Sequence, residues 1–272
     1  MIRLAAFDID QTLLGDDLNP SPRVRQAIAG ALQRGVIITL VTGRGPLFTG
    51  RIARQLGLNA PVVCYQGGMA YDFIAGQTLH EARLSLDLLP AIVSAAQEYS
   101  WNLHFEEFGH IYMPRRSNHP PIYYELMRYY EVSRVDDFLR EVPAAPHKFL
   151  VTLNQPQERG RVIAEMQQNL DQWITIIPSH PYLVEGLPPG VNKGRGLAWL
   201  AEYFHLSPDE VLAVGDNDND VPMLEWAGVG VAVGNASPAA RLAADWIAPP
   251  LQEDGAAATI EKFILLDDIL TH

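Results

Sequence analysis

Two acidic side chains stand directly after a short apolar segment near the start of the chain. Asp8 and Asp10 follow the run Leu4–Phe7 and are separated by one residue. One carboxylate of such a pair can attack phosphorus and form an acyl phosphate, while the other protonates the leaving oxygen and later deprotonates a water. The pair is compatible with chemistry on a phosphate ester, but an isolated Asp-x-Asp is common where acids only cap helices.

A second acidic segment, residues 215–220, reads Gly-Asp-Asn-Asp-Asn-Asp and follows an apolar run at 211–214. Carboxylates brought together repel each other unless a cation lies among them, and a hard dication with oxygen ligands, Mg²⁺, fits best. A phosphoryl group in transfer also needs donors and positive charge around its oxygens. The Thr42 hydroxyl, the Gly43 amide and Lys193 can supply these. Each has an ordinary interpretation as turn or surface chemistry, so the prediction depends on their conjunction.

The apolar pattern places these residues on an α/β scaffold. Both ends of the chain alternate strands and helices, which predicts a doubly wound parallel sheet whose ligands bind beyond the carboxyl ends of the strands. The predicted elements are strands at 4–7, 36–41, 61–65, 211–214 and 229–233, and helices from the cap Ser21 to about Gln33, at 46–57 and at 193–205.

The pattern changes after about Ala82 and returns at Pro188-Pro189-Gly190. Between them lie an amphipathic helix at 86–99, alternating residues at 101–113 typical of antiparallel strands, strands at 148–153 and 173–177, and a helix at 157–170. We therefore predict a catalytic core of residues 1–82 and 188–272, interrupted by an α+β domain at 83–187.

Composition limits the classes of partner. The chain has 272 residues, 48% of them hydrophobic and 19% charged, which is typical of a folded globular protein. A formal net charge of −12 argues against nucleic acid and anionic membranes as partners, and a small anion would need local positive charge to bind. Cys64 is the only cysteine and no long apolar run occurs, so we expect a soluble cytoplasmic protein without disulfides.

The motifs together resemble those of the haloacid dehalogenase-like hydrolases, and among these the Cof-type phosphatases with a type IIB cap. The resemblance spans the chain. It rests on Asp-x-Asp-x-Thr at residues 8–12, Thr-Gly-Arg at 42–44, Gly-x-x-Lys-Gly at 190–194, the acidic segment at 215–220 with Met223-Leu224 after it, and Gly-Val-Ala-Val-Gly-Asn-Ala at 230–236. Two departures are Gln11, where glycine is frequent, and residues 65–68, which replace a segment that usually contains Asn-Gly.

The resemblance implies roles for individual residues. Asp8 is expected as nucleophile and Mg²⁺ ligand, Asp10 as general acid and base that also gives its carbonyl to the metal, and Asp216 as the third protein ligand. Asp220 is expected to support these ligands without binding the metal. The residues expected to hold phosphate are Ile9 through its amide, Thr42, Gly43, Lys193 and Asn219.

These expectations describe a Mg²⁺-dependent phosphatase that forms an aspartyl phosphate and acts on a sugar phosphate or a phosphorylated cofactor. The inserted domain would close over the strand ends and select the substrate. A phosphomutase with the same motifs is the nearest alternative. A receiver-type signalling module is a second alternative, which the insertion and the second carboxylate at Asp10 disfavour. The sequence leaves open whether the protein is a monomer or a homodimer.

Overall fold

The structure, a computed structural model, describes residues 1–116, 119, 123–124, 127 and 130–266. These residues form two units. The core unit comprises residues 1–43, 49–79 and 192–266, and the insert unit comprises Arg44–Phe48 and His80–Val191. All the catalytic, metal-binding and phosphate-binding residues predicted from the sequence lie in the core unit.

Short strands and helices alternate through the described part of the chain. The strands are β1 (Leu4–Phe7), β2 (Ile37–Leu40), β3 (Val62–Cys64), β4 (Met69–Asp72), β5 (Gln77–Glu81), β6 (Asn102–Glu107), β7 (His110–Pro114), β8 (Glu131–Val135), β9 (Lys148–Thr152), β10 (Thr175–His180), β11 (Leu183–Leu187), β12 (Val211–Gly215), β13 (Val229–Ala232) and β14 (Trp246–Ile247). The helices are α1 (Pro22–Gln33), α2 (Pro46–Gln55), α3 (Leu89–Glu98), α4 (Phe138–Glu141), α5 (Arg159–Leu170), α6 (Lys193–Tyr203), α7 (Val221–Trp226), α8 (Pro238–Ala243) and α9 (Gly255–Ile260).

The core unit contains the parallel sheet that the sequence predicts. Its strand order is β14-β13-β12-β1-β2, and every pairing is parallel. The central strands β1 and β12 are completely buried and apolar, as expected for parallel strands covered on both faces. On one face, α6 and α7 contribute Leu197, Leu200 and Met223 to the cluster that covers these strands. The predicted start of α1 is also confirmed, because the Ser21 hydroxyl accepts a hydrogen bond from the Val24 amide.

The third predicted strand takes a different place from the first two. Strand β3 is joined to the parallel sheet by an isolated parallel bridge between Val41 and Val63, and it pairs antiparallel with β4 in a separate sheet β3-β4-β5. The chain turns back sharply at Tyr65–Gly67. A β-branched run predicts a buried strand but not its partner, which the following turn decides.

The insert unit is an α+β structure. Its sheet has the order β10-β11-β9-β6-β7-β8 and is antiparallel except for the pair β7–β8. Helices α3 and α5 cover one face through Ile92, Val162 and Met166, which pack with Phe105 and Phe149 of the sheet. Within the described residues of both units, no helix has the length and apolar character that crossing a bilayer requires.

Candidate active site

The parallel sheet brings the predicted strand-end residues to one edge. Phe7 pairs with Val214 on one side and with Leu40 on the other, so three strands end at the same level. The Asp8 amide continues the ladder by donating to the Val214 carbonyl (2.9 Å). Asp8 and Thr42, which are both buried, and the partly buried Asp216 therefore follow three neighbouring strands.

The chain turns immediately after Asp8. The Ile9 carbonyl accepts hydrogen bonds from the amides of Leu13 (3.1 Å) and Leu14 (2.8 Å). Gln11 has φ = 63°, in the left-handed region that glycine adopts without steric cost. Gln11 adopts this left-handed conformation although it carries a side chain.

Lys193 lies among the carboxylates. It is the first residue of α6, where the preceding Asn192 caps the helix by accepting from the Arg195 amide (2.9 Å). Its Nζ donates to Asp8 Oδ1 (2.6 Å) and to Asp220 Oδ1 (2.5 Å), and its side chain is 1% exposed. Burial alone would lower the pKa of Lys193, but attraction to Asp220 and Asp8 outweighs it and raises that pKa. The lysine is therefore a fixed positive charge.

Asp220 is completely buried and both of its carboxylate oxygens accept hydrogen bonds. Oδ1 accepts from Lys193, and Oδ2 accepts from the backbone amides of Asp216 (2.9 Å) and Asn217 (3.0 Å). This arrangement holds the backbone that carries Asp216. The supporting role of Asp220 stays a prediction.

The pKa values of Asp216 and Asp8 are raised by burial and by the neighbouring carboxylates. The Thr12 hydroxyl donates to Asp216 Oδ1 (2.8 Å) and fixes that carboxylate. Burial, and then repulsion by Asp220, raise the pKa of Asp216 to about 6. Burial also raises the pKa of Asp8 well above its ordinary value, against the opposing attraction of Lys193. One lysine does not neutralise these acids.

The donor set suits a hard dication. Asp8, Asp216 and Asp220 each offer a carboxylate oxygen, and these oxygens lie within 4.8 Å of one another. Oxygen ligands and surplus negative charge are what Mg²⁺ prefers. Among the described residues, the Asp10 carboxylate does not belong to this group. Asp10 is partly buried in the turn after β1, where a backbone bridge joins it to Leu14.

Gln66 is a site residue to which the sequence analysis gave no role. Its side-chain Oε1 accepts from Asn219 Nδ2 (2.9 Å), and its backbone amide donates to the Thr42 carbonyl (2.9 Å). It also lies against Gly43, because a Cβ on that glycine would be 2.4 Å from Gln66 Nε2. The sequence feature that could have identified Gln66 is the pair of glycines after it, because two glycines at a strand end indicate a tight turn.

Comparison with known proteins gives a consistent result. A family model described as haloacid dehalogenase-like hydrolase matches residues 5–260. YxeH of Bacillus subtilis is 30% identical over 97% of this chain and 99% of its own length. The 5-amino-6-(5-phospho-D-ribitylamino)uracil phosphatase YcsE of B. subtilis is 28% identical, covering 97% of this chain and 96% of YcsE. The HMP-PP phosphatase of Serratia proteamaculans is 28% identical, covering 88% and 86%.

Solved structures agree with the sequence matches. A haloacid dehalogenase-like hydrolase from Bacteroides thetaiotaomicron superimposes with a TM-score of 0.87 at 26% identity, covering 97% of this chain and all of that one. The family match covers both halves of the core unit and the insertion between them. This chain therefore belongs to the haloacid dehalogenase-like hydrolases, an enzyme family in which YcsE and the S. proteamaculans relative are named phosphatases.

Proposed function

We propose that this protein is a Mg²⁺-dependent phosphomonoesterase that acts on a small phosphorylated metabolite through an aspartyl phosphate formed on Asp8. The observation that carries the proposal is the position of Lys193. Its ammonium group bridges Asp8 and Asp220, which come from opposite ends of the chain, at the carboxyl edge of the parallel sheet. A buried lysine among more carboxylates than it can neutralise suits a site for a dication and a phosphate.

In this proposal Asp8, Asp216 and the Asp10 carbonyl hold Mg²⁺. Asp220 supports them, because both of its oxygens already accept hydrogen bonds. When bound, Mg²⁺ supplies positive charge to the phosphoryl oxygens. The residues that hold the phosphoryl group are Lys193, the Thr42 hydroxyl, the amides of Ile9 and Gly43, and Asn219.

The proposed reaction has two steps. An Asp8 carboxylate oxygen forms a bond to phosphorus as the bond to the leaving oxygen breaks, and the Asp10 carboxyl gives that oxygen its proton. The Asp10 carboxylate then takes a proton from water, whose oxygen attacks phosphorus and breaks the bond to Asp8. Inorganic phosphate leaves and both aspartates return to their starting states. Lys193 orients the Asp8 carboxylate for its attack on phosphorus.

The substrate that we propose is a sugar phosphate or a phosphorylated cofactor. Two relatives are named for phosphatase activity on 5-amino-6-(5-phospho-D-ribitylamino)uracil and on HMP-PP, which supports a small phosphorylated substrate and release of its phosphate rather than transfer between sugars. We assign catalysis to residues 1–82 and 188–272 and substrate selection to residues 83–187. Cys64, the only cysteine in the sequence, is buried, which is compatible with the cytoplasmic location that we propose.

The assignment is tested by p-nitrophenyl phosphate hydrolysis. We expect Asp8→Asn to abolish phosphate release and Asp10→Asn to reduce it by a factor of about 10² or more, since proton transfer contributes on that order. The matched control is Asp171→Asn, the same change at an exposed residue of the insert unit. Excess EDTA should stop the wild-type reaction and Mg²⁺ should restore it. Normal turnover by Asp8→Asn would remove the nucleophile from the proposal.

A further inference from the structure

Gln66 connects two parts of the proposed phosphate site that are far apart in the sequence. Its side chain is 1% exposed. Its Oε1 accepts from Asn219 Nδ2 (2.9 Å), while its carboxamide nitrogen lies beside Gly43. Its backbone amide donates to the carbonyl of Thr42, the residue before Gly43. A single buried side chain thus contacts the phosphate-binding residues that follow β2 and those that follow β12.

The backbone at Gln66 is held in an uncommon conformation. Tyr65 and Gln66 have φ values of 52° and 58°, so two successive residues with side chains occupy the left-handed region. Gly67 follows with φ = 101°, and a Cβ there would lie 2.1 Å from the Asn192 carbonyl oxygen at the start of α6. Such strain persists only where the surroundings fix it, and it is common at functional sites. Here it accompanies a Gln66 side chain that points inward.

The hydrogen bond to Asn219 decides which end of a carboxamide the site presents. An asparagine side chain has two N–H donors at one end and an acceptor oxygen at the other. Because Gln66 Oε1 is an acceptor, it takes one Nδ2 hydrogen and leaves the second for a phosphoryl oxygen. Without the Gln66 oxygen, the Asn219 carboxamide can rotate and direct its own oxygen at the anion, and the two oxygens repel each other.

We propose that Gln66 is a positioning residue of the phosphate site, which fixes the donor orientation of the Asn219 amide through its acceptor oxygen. The proposal rests on the proposed function, in which Asn219 and Gly43 bind the phosphoryl group. A residue that only fills space would act through its volume. A positioning residue acts through its acceptor oxygen, and this difference can be measured.

The test is a double-mutant cycle of Gln66→Met and Asn219→Ala. Methionine keeps the length of glutamine and removes the acceptor. KM for p-nitrophenyl phosphate and the inhibition constant of inorganic phosphate are measured with Mg²⁺. We expect Gln66→Met to raise both constants about tenfold, the size of one lost hydrogen bond, with a smaller change in kcat. In the Asn219→Ala background, Gln66→Met should change neither constant further. Gln77→Met, at an exposed residue of the core unit, is the matched control.

The outcomes separate the two proposals. The positioning role is wrong if Gln66→Met leaves KM and the inhibition constant at their wild-type values. It is also wrong if Gln66→Met changes these constants equally with Asn219 present and with Asn219→Ala. Neither result contradicts the proposed phosphatase activity. A wild-type protein that neither hydrolyses phosphomonoesters nor binds phosphate would overturn both. Should Gln66→Met fail to fold, side-chain amide NMR of the wild type decides. The Asn219 Nδ2 and Gln66 Nε2 signals should both move when inorganic phosphate is added, and an unmoved Asn219 signal would contradict the role.

Discussion

Removal of one negative charge from the acidic cluster should stabilise the metal-free protein. In Asp216→Asn the asparagine Oδ1 can still accept from the Thr12 hydroxyl, so the change removes charge and little else. The Asp216 carboxylate has oxygens of Asp8 and Asp220 within 4.8 Å. Each such pair of unit charges repels by about 3.5 kcal/mol or more at an effective dielectric constant of about 20. Attraction to Lys193 offsets part of this repulsion.

The pKa gives the net effect and its sign. Burial and Asp220 raise the pKa of Asp216 from 3.8 to about 6. The folded core therefore binds this proton more tightly than the unfolded chain does, and ionised Asp216 destabilises the fold fully above about pH 6 and not at all below pH 3.8. At about 1.4 kcal/mol per pH unit the ceiling is about 3 kcal/mol. Asp216 is partly exposed, so solvent screening reduces the expected gain to about 1–2 kcal/mol.

Thermal unfolding at pH 7.5 with EDTA and with Mg²⁺ measures this effect. In EDTA, Asp216→Asn should melt a few degrees above the wild type. Mg²⁺ at about 100 times its Kd should stabilise the wild type by about 2.7 kcal/mol and the variant by much less, so the order reverses. The control is Asp218→Asn, an exposed residue of the same segment outside the carboxylate group. A variant less stable than the wild type in EDTA would refute the repulsion argument, and equal stabilisation by Mg²⁺ would refute Asp216 as a ligand.

Three further substitutions test packing and pH dependence. Gly196→Ala should destabilise the core unit by about 2–3 kcal/mol, because its Cβ would lie 2.5 Å from the Gly67 Cα. In contrast, Gly160→Ala in α5 meets open space and should stabilise by about 0.5–1 kcal/mol in urea unfolding. Burial lowers the pKa of His147 to about 4, so stability should fall by up to about 3 kcal/mol as pH drops from about 6.5 to 4. His147→Gln can still accept from the Phe108 amide, and an undiminished pH dependence in its melting curves would contradict this origin.

The sequence by itself determined the elements and the edge at which chemistry is placed. Apolar runs predicted β1, β2 and β12, and the Ser21-Pro22 start of α1 was recognisable because capping is a local interaction. The residues after these strands could be assigned to one edge, since parallel strands reached by crossover helices end on the same side. Asp8, Thr42 and Asp216 were therefore predictable from pattern and topology rules together.

Only the tertiary structure decided which of these groups touch. The bonds from Lys193 to Asp8 and Asp220 join residues from three segments of the chain, and their distances depend on how α6 packs. The turn at Tyr65–Gly67 decides which strand pairs with β3. The same turn places Gln66 where it contacts Asn219. Hydrogen bonds between distant residues leave no periodic signal in a sequence, because they are set by packing rather than by local backbone preference.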